Sequence, residues 1–141
     1  MTITYAINKA ITSEQFIEVL TKSTLGERRP VDDIDSISDM LKHTNLLVTA
    51  WHDNKLVGVA RSFTDYSYCC YMSDLAVIAS VQHQGIGKGL IEATKVELKV
   101  GCKLVLLSAP AAQQYYPHIG FSAHTSAWVQ QKELTTLTTS K

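Results

Sequence analysis

Gly85, Gly87 and Gly89 fall at alternate positions within Gln82-His83-Gln84-Gly85-Ile86-Gly87-Lys88-Gly89. Before them, Met72-Ser73-Asp74-Leu75-Ala76-Val77-Ile78 reads as a buried strand. After them, Leu90 and Ile91 with Val96, Leu98 and Val100 read as a helix with an apolar side, ended by Gly101. Strand, glycine loop and helix in that order suit an anion. The first turn of a helix leaves N–H groups unpaired, and its dipole favours negative charge. Glycines remove the side chains that would keep a diphosphate away from those N–H groups.

Other chemistries find little support. Cys69, Cys70 and Cys102 form no CxxC pair, and the five histidines show no ligand spacing, so no metal is implied. Adjacent in a strand, Cys69 and Cys70 point to opposite faces, as free thiols in a reducing cytoplasm. Thirteen Lys plus Arg balance thirteen Asp plus Glu, which argues against nucleic acid as the main partner. No apolar run approaches the roughly 20 residues that span a bilayer, and the amino terminus does not resemble a signal peptide. The expected location is cytoplasmic.

The elements that position the loop follow from periodicity. Ile3–Ile7 alternates as a first strand, and Thr12 with Gln15 has capping-box spacing for a helix over 13–23, with Gly26 as its stop. A second helix starts near Asp33 with Ile34, Ile37, Met40 and Leu41 on one face, and Asn45 stops it. Leu46–Trp51 and Lys55–Phe63 form a hairpin about Asp53-Asn54, and Tyr68–Val77 is the next strand. Trp51, Phe63, Tyr66 and Tyr68 are read as core, with pocket wall as the alternative. Leu104–Leu107 is apolar enough for burial on both faces. A short helix from Pro110 is not expected to run past Pro117 unperturbed, and Thr125–Gln130 is expected to form a closing strand that could pair with another subunit in a homodimer, with oligomeric state left open. The tail from Leu134 is expected to fray. The whole, 1–141, reads as one α/β domain with a mixed central sheet and helices on both faces.

The spacing discriminates among phosphate motifs. A P-loop needs GxxxxGK[ST], which is absent, and a dinucleotide fingerprint needs a third glycine or alanine where Leu90 stands. The pattern [Q/R]-x-x-G-x-[G/A] does fit, as Gln82 to Gly87 preceded by Asp74-Leu75-Ala76-Val77. Further on, Leu104–Ser108 supplies a following strand, and Tyr115-Tyr116-Pro117-His118-Ile119-Gly120-Phe121 matches Φ-Y-x-x-x-G-F. Together these resemble the GNAT superfamily of acetyl-coenzyme A-dependent N-acetyltransferases.

That resemblance implies an acceptor-side half, about 1–67, and an acetyl-CoA-binding half, about 68–131. It places Leu75, Ala76 and Val77 along the pantetheine arm in a gap where the fourth and fifth strands splay apart. Gln82, His83, Gln84, Gly85, Ile86, Gly87, Lys88 and Gly89 would cradle the diphosphate, and Ser108 joins the cofactor contacts. Tyr116 aligns with the family's general acid toward the departing thiolate. Asp74 is a polar residue in an apolar strand beside the donor, either a general base favoured by desolvation or the partner in a strand-end hydrogen bond or ion pair. Arg28 and Arg29 either grip a carboxylate or phosphate of the substrate, or pair with Asp32, Asp33 or Asp35. The implied activity is acetyl transfer to a primary amine of a small molecule or peptide; a catalytically weak acyl-CoA-binding sensor of the same fold is the alternative.

Overall fold

The computed structural model describes residues 1–132. It divides into two compact units, Met1–Leu107 and a second that begins at Ser108. The first holds a five-stranded sheet in the order β1 (Thr4–Ile7), β2 (Leu46–His52), β3 (Lys55–Thr64), β4 (Cys69–Val77) and β5 (Lys103–Leu106). The first three pairings are antiparallel and β4–β5 is parallel, so the sheet is mixed. Helices α1 (Ser13–Lys22) and α2 (Ile34–His43) lie between β1 and β2, and α3 (Ile86–Val96) between β4 and β5.

Local chemistry accounts for the boundaries. The Thr12 hydroxyl accepts from the Gln15 N–H at 3.1 Å while Gln15 Oε1 accepts from the Thr12 N–H at 2.9 Å, a complete capping box for α1. The helix ends at Ser23, before Gly26, because the Ser23 hydroxyl bonds back to the Leu20 carbonyl and Gly26 belongs to a 3₁₀ turn, Leu25–Arg28. Asp33 caps α2 from outside, accepting from the Ser36 N–H at 3.2 Å. Asp53 and Asn54, with φ of 49° and 65°, make the left-handed two-residue turn that suits a twisted hairpin.

Helices cover both faces of the sheet. A Cβ on Gly58 would lie 3.1 Å from Leu90 and 3.5 Å from Ile86 of α3. Three residues along β3, on the opposite face, Arg61 reaches the Met40 carbonyl of α2. Phe16 and Leu20 of α1, Ile37 of α2, Leu46, Val48 and Val59 of the sheet, and Ile86 and Leu90 of α3 are fully buried.

Several expectations are corrected. Helix α3 stops at Val96, because the Lys99 N–H bonds to the Tyr66 carbonyl at 2.9 Å and draws the chain off the helix; Val96 and Val100 are exposed. Strand β5 has a partner on one side only among the described residues, and Val105 and Leu107 are exposed, so burial on both faces fails. Of the four aromatics read as core, only Trp51 is buried; Tyr66 is half-buried, its hydroxyl donating to the Asn45 carbonyl, and Phe63 and Tyr68 are exposed. Cys69 is exposed and Cys70 buried, as alternation requires.

In the second unit the helical stretch from Pro110 is divided into a 3₁₀ turn, Pro110–Ala112, and α4 (Tyr115–His118), which ends one residue past Pro117 as expected. Pro117 sits in the first turn, where no intrahelical donor is required. Residues 125–130 form a turn and an irregular segment, not a strand; the Ser126 N–H is taken locally by His124 Nδ1 at 3.1 Å. The strand-paired homodimer thereby loses its premise. The tail from Leu134 lies outside the described residues. No described helix is long and apolar enough to cross a membrane.

Candidate active site

The sheet is interrupted where β5 ends. The parallel pairing runs from Cys69↔Lys103 to Met72↔Leu106, whereas β4 continues five residues further, to Val77, against β3 alone. The edge of β4 beyond Met72 is therefore open. A β-bulge decides which groups face it: Ser62 pairs with Met72 and Arg61 with Asp74, so Ser73 is the extra residue. Past the bulge, the Ile78 N–H donates to the Val57 carbonyl of β3. Alternation then turns the backbone groups of Asp74 and Ala76 toward β3 and those of Ser73, Leu75 and Val77 toward the open edge.

Two carbonyls on that edge are occupied. Arg29 donates to the Ser73 carbonyl at 2.8 Å, and Gln82 Nε2 to the Val77 carbonyl at 2.8 Å. Between them, the Leu75 N–H and C=O have no partner among the described residues. Ala76, expected to contact a ligand, instead spends its backbone groups on β3.

The loop after β4 supplies donors. The Gln82 N–H bonds to the Ala79 carbonyl and the Gly89 N–H to Gly85, while the run of N–H groups from His83 through Lys88 has no acceptor among the described residues. His83 and Gly85 take left-handed conformations, φ 65° and 80°, which fold these donors into a concave turn capped by the start of α3. A Cβ on Gly85 would meet nothing within 4 Å, so its backbone conformation, not crowding, calls for glycine. Lys88 is exposed and makes no ion pair among the described residues. Together these features can hold an anion by main-chain N–H groups, with Lys88 adding charge.

Two residues assigned to the cradle do other things. Gln82 has its backbone N–H and one amide donor committed within the loop, so it braces the turn. Gly89 allows close packing: a Cβ there would overlap the Tyr5 phenol of β1. Burial raises the Tyr5 pKa above the ordinary tyrosine value.

Asp74 and Arg29 meet each other. Asp74 is buried, with one carboxylate oxygen 2.5 Å from Arg29 Nε and the other hydrogen-bonded to Arg61 Nε. Arg61 also donates to Ser73 Oγ at 3.0 Å and to the Met40 carbonyl at 3.2 Å. Each carboxylate oxygen thus accepts from one guanidinium. Of the two readings of Asp74, a base favoured by desolvation or the partner in an ion pair, the ion pair is the one observed. Nor does Arg29 pair with Asp32, Asp33 or Asp35. Arg28 is exposed and makes no ion pair among the described residues; its carbonyl accepts from Arg29. Sequence reasoning missed Arg61. The signal was a lone cation in the apolar run Val57–Phe63, which required a buried counter-charge.

In the second unit, the Tyr116 ring packs edge-on against Phe121 at 5.4 Å and Tyr115 at 5.3 Å. Burial first, and the neighbouring Tyr115 second, hold its phenol above the ordinary pKa, so it remains a protonated donor at neutral pH. Ser108 is half-buried, just past the end of β5. No cluster of metal-ligating side chains occurs among the described residues.

A mixed sheet opened at its parallel pair, followed by an N–H-lined loop and a helix start, defines an α/β protein with a bare strand edge beside a run of free main-chain donors. The model of the GNAT acetyltransferase domain matches residues 9–137, and the chain belongs to that family. A search of curated proteins finds no match to the sequence. Among solved structures, the chain is similar to a GNAT-family acetyltransferase from Streptococcus pneumoniae, with TM-score 0.74, 19% identity, and coverage of 93% of this chain and 100% of that one. It is also similar to an aminoglycoside acetyltransferase from an uncultured soil metagenomic sample, solved with sisomicin (TM-score 0.66, 21% identity, 94% and 97% covered). A third is an aminoglycoside N-acetyltransferase solved with coenzyme A (TM-score 0.69, 16% identity, 94% and 96% covered). At these identities the likeness is one of fold.

Proposed function

We propose that this chain transfers an acetyl group from acetyl-CoA to a primary amine of a small molecule or peptide, by direct attack in a ternary complex. The observation that carries the reading is the unpaired Leu75 edge followed by the free N–H groups from His83 through Lys88. A diphosphate fits the second, and an extended, amide-bearing pantetheine arm fits the first, as an added strand would.

In this reading the Leu75 N–H polarises the thioester carbonyl, stabilising the oxygen that gains charge as the amine attacks. The new C–N bond forms and the C–S bond breaks; the thiolate takes a proton from the Tyr116 hydroxyl, and the second proton, released by the acylated nitrogen, returns through water to the phenolate. With Asp74 committed to two guanidiniums, the proton of the ammonium passes to water. Arg28, exposed beside the site's connector, is free to meet an anionic group on the acceptor.

The test is thiol release from acetyl-CoA over a panel of amines that includes an aminoglycoside, with coenzyme A affinity measured by calorimetry. We expect release with at least one amine and a fall of roughly 10²-fold in kcat for Tyr116→Phe, in keeping with loss of a general acid, with donor affinity kept. Parental rates in Tyr116→Phe sink the acid assignment. Donor binding without release for any amine would favour the non-catalytic sensor.

A further inference from the structure

Two arginines, buried Arg61 and half-buried Arg29, converge on buried Asp74. Asp74 needs one counter-charge, and Arg61, almost fully buried and on the neighbouring strand, already supplies it. Arg29 comes from elsewhere, out of the connector between α1 and α2, and its side chain retains 21% exposure. What it adds is specific in direction. With Nε on Asp74, its other nitrogens reach the Ser73 carbonyl at 2.8 Å and its own neighbour's carbonyl, Arg28, at 2.9 Å.

The Ser73 carbonyl is on the open edge of β4, immediately beyond the last rung of the β4–β5 ladder, Met72↔Leu106. The Arg29 guanidinium therefore stands where the next hydrogen-bond donor of a continuing β5 would stand. It satisfies that carbonyl without supplying a strand. Two residues further along the same edge is Leu75, whose N–H and C=O are left bare.

We propose that Arg29 is a positioning residue that ends the β4–β5 ladder and sets the place of the Leu75 amide, with Asp74 as its anchor rather than as the general base. The proposal rests on the acetyl-transfer reading given above. It assigns the three charged residues to one mechanical unit: Arg61 fixes Asp74 from inside the sheet, Asp74 aims Arg29, and Arg29 holds the bulge at Ser73. A guanidinium is suited to this place because its planar fork serves a carboxylate oxygen and a carbonyl at once, which an ammonium on a flexible stem does not. The same contacts pin the Leu25–Arg29 connector to β4, so one unit serves both the donor edge and the wall beside it.

The test compares Arg29→Gln, Arg29→Lys, Asp74→Asn and the double variant Arg29→Gln/Asp74→Asn with the parent. Steady-state thiol release is measured against pH with the best amine of the panel, and coenzyme A affinity by calorimetry. Because the N–H loop proposed for the diphosphate is untouched, coenzyme A affinity should fall by less than kcat does, the loss being confined to the Leu75 contact. A displaced Leu75 amide should lower kcat roughly tenfold in Arg29→Gln, with partial recovery in Arg29→Lys. The double variant should be no worse than the poorer single variant, since both act on one unit. Each pH profile should keep the parent's shape. Parental kcat in Arg29→Gln overturns the proposal, as does loss in Asp74→Asn of an ionisation that Arg29→Gln retains, which would restore Asp74 as the base. Asp74→Asn leaves two guanidiniums without their carboxylate and risks misfolding; Arg29→Gln, at a partly exposed position, then carries the test. A parent that neither binds coenzyme A nor releases thiol removes the acetyl-transfer reading and this inference together, whereas an active parent with an unaffected Arg29→Gln removes the inference alone.

Discussion

Gly85 and Gly89 look interchangeable in the sequence, and alanine substitution should separate them. At Gly89, in the interior of α3, alanine gains helix propensity of about 1 kcal/mol. The new Cβ, however, would overlap the Tyr5 phenol, which lies across the start of α3 from β1. Tyr5 must give way, and over-packing of this kind costs roughly 1–3 kcal/mol. The net for Gly89→Ala is a loss of about 0–2 kcal/mol. In a Tyr5→Val background the overlapping atoms are gone and only the propensity gain remains, so the same substitution should stabilise by about 1 kcal/mol. At Gly85 the sign should not depend on Tyr5. Alanine there meets no neighbour, but φ is +80°, a conformation that costs an L-residue roughly 1–2 kcal/mol, offset in part by reduced freedom of the unfolded chain. Urea melts of Gly85→Ala and Gly89→Ala, each with and without Tyr5→Val, and of Tyr5→Val alone give the stabilities, and calorimetric titration with coenzyme A gives the affinities. Gly85→Ala should weaken coenzyme A binding by re-aiming the N–H run, and Gly89→Ala should not. The reasoning is refuted if Gly89→Ala destabilises the parent and the Tyr5→Val background equally, or if it costs as much coenzyme A affinity as Gly85→Ala.

Two further outcomes follow from local chemistry. Thr12→Ala removes the hydroxyl half of the capping box on α1, the bond from the Gln15 N–H, and should cost about 1 kcal/mol, seen as a shift in the urea midpoint with an unchanged slope. Burial holds the phenols of Tyr5, Tyr115 and Tyr116 above the ordinary value of 10.0. The folded chain thus keeps these protons where the unfolded chain loses them, so their contribution is intact below about pH 10 and is lost as pH rises through the folded values. Melting temperature between about pH 8.5 and 11.5 should fall less steeply for Tyr116→Phe than for the parent; an equal slope would contradict the burial of this phenol.

How much of this was legible depended on whether the deciding interaction was local. The capping box at Thr12 and Gln15, the left-handed turn at Asp53-Asn54 and the opposite facing of Cys69 and Cys70 are each settled within a few residues, and each was readable. The end of α3 was not, because the bond that stops it joins Lys99 to Tyr66. Nor was the role of Gly89, which is set by Tyr5, at the far end of the chain's first unit.

The same distinction separates the two sides of the candidate site. The side proposed to hold the donor is made of main chain. Its glycine conformation, its consecutive free N–H groups and its bare strand edge demand particular residues only where φ is positive or a Cβ would intrude, so a short spacing pattern suffices to announce it. The side toward the connector is made by charged side chains that converge from three separate stretches, Arg29, Arg61 and Asp74, and no pattern in any one of them reports the others. Read singly, Arg29 looks like a substrate clamp and Asp74 like a base; brought together, they satisfy each other. A buried carboxylate flanked by two guanidiniums is a poor way to gain stability, since an apolar trio of similar volume would often do as well. Its presence at the one point where the ladder must stop is therefore better explained by what a guanidinium does there: it ends a sheet without covering the edge beyond.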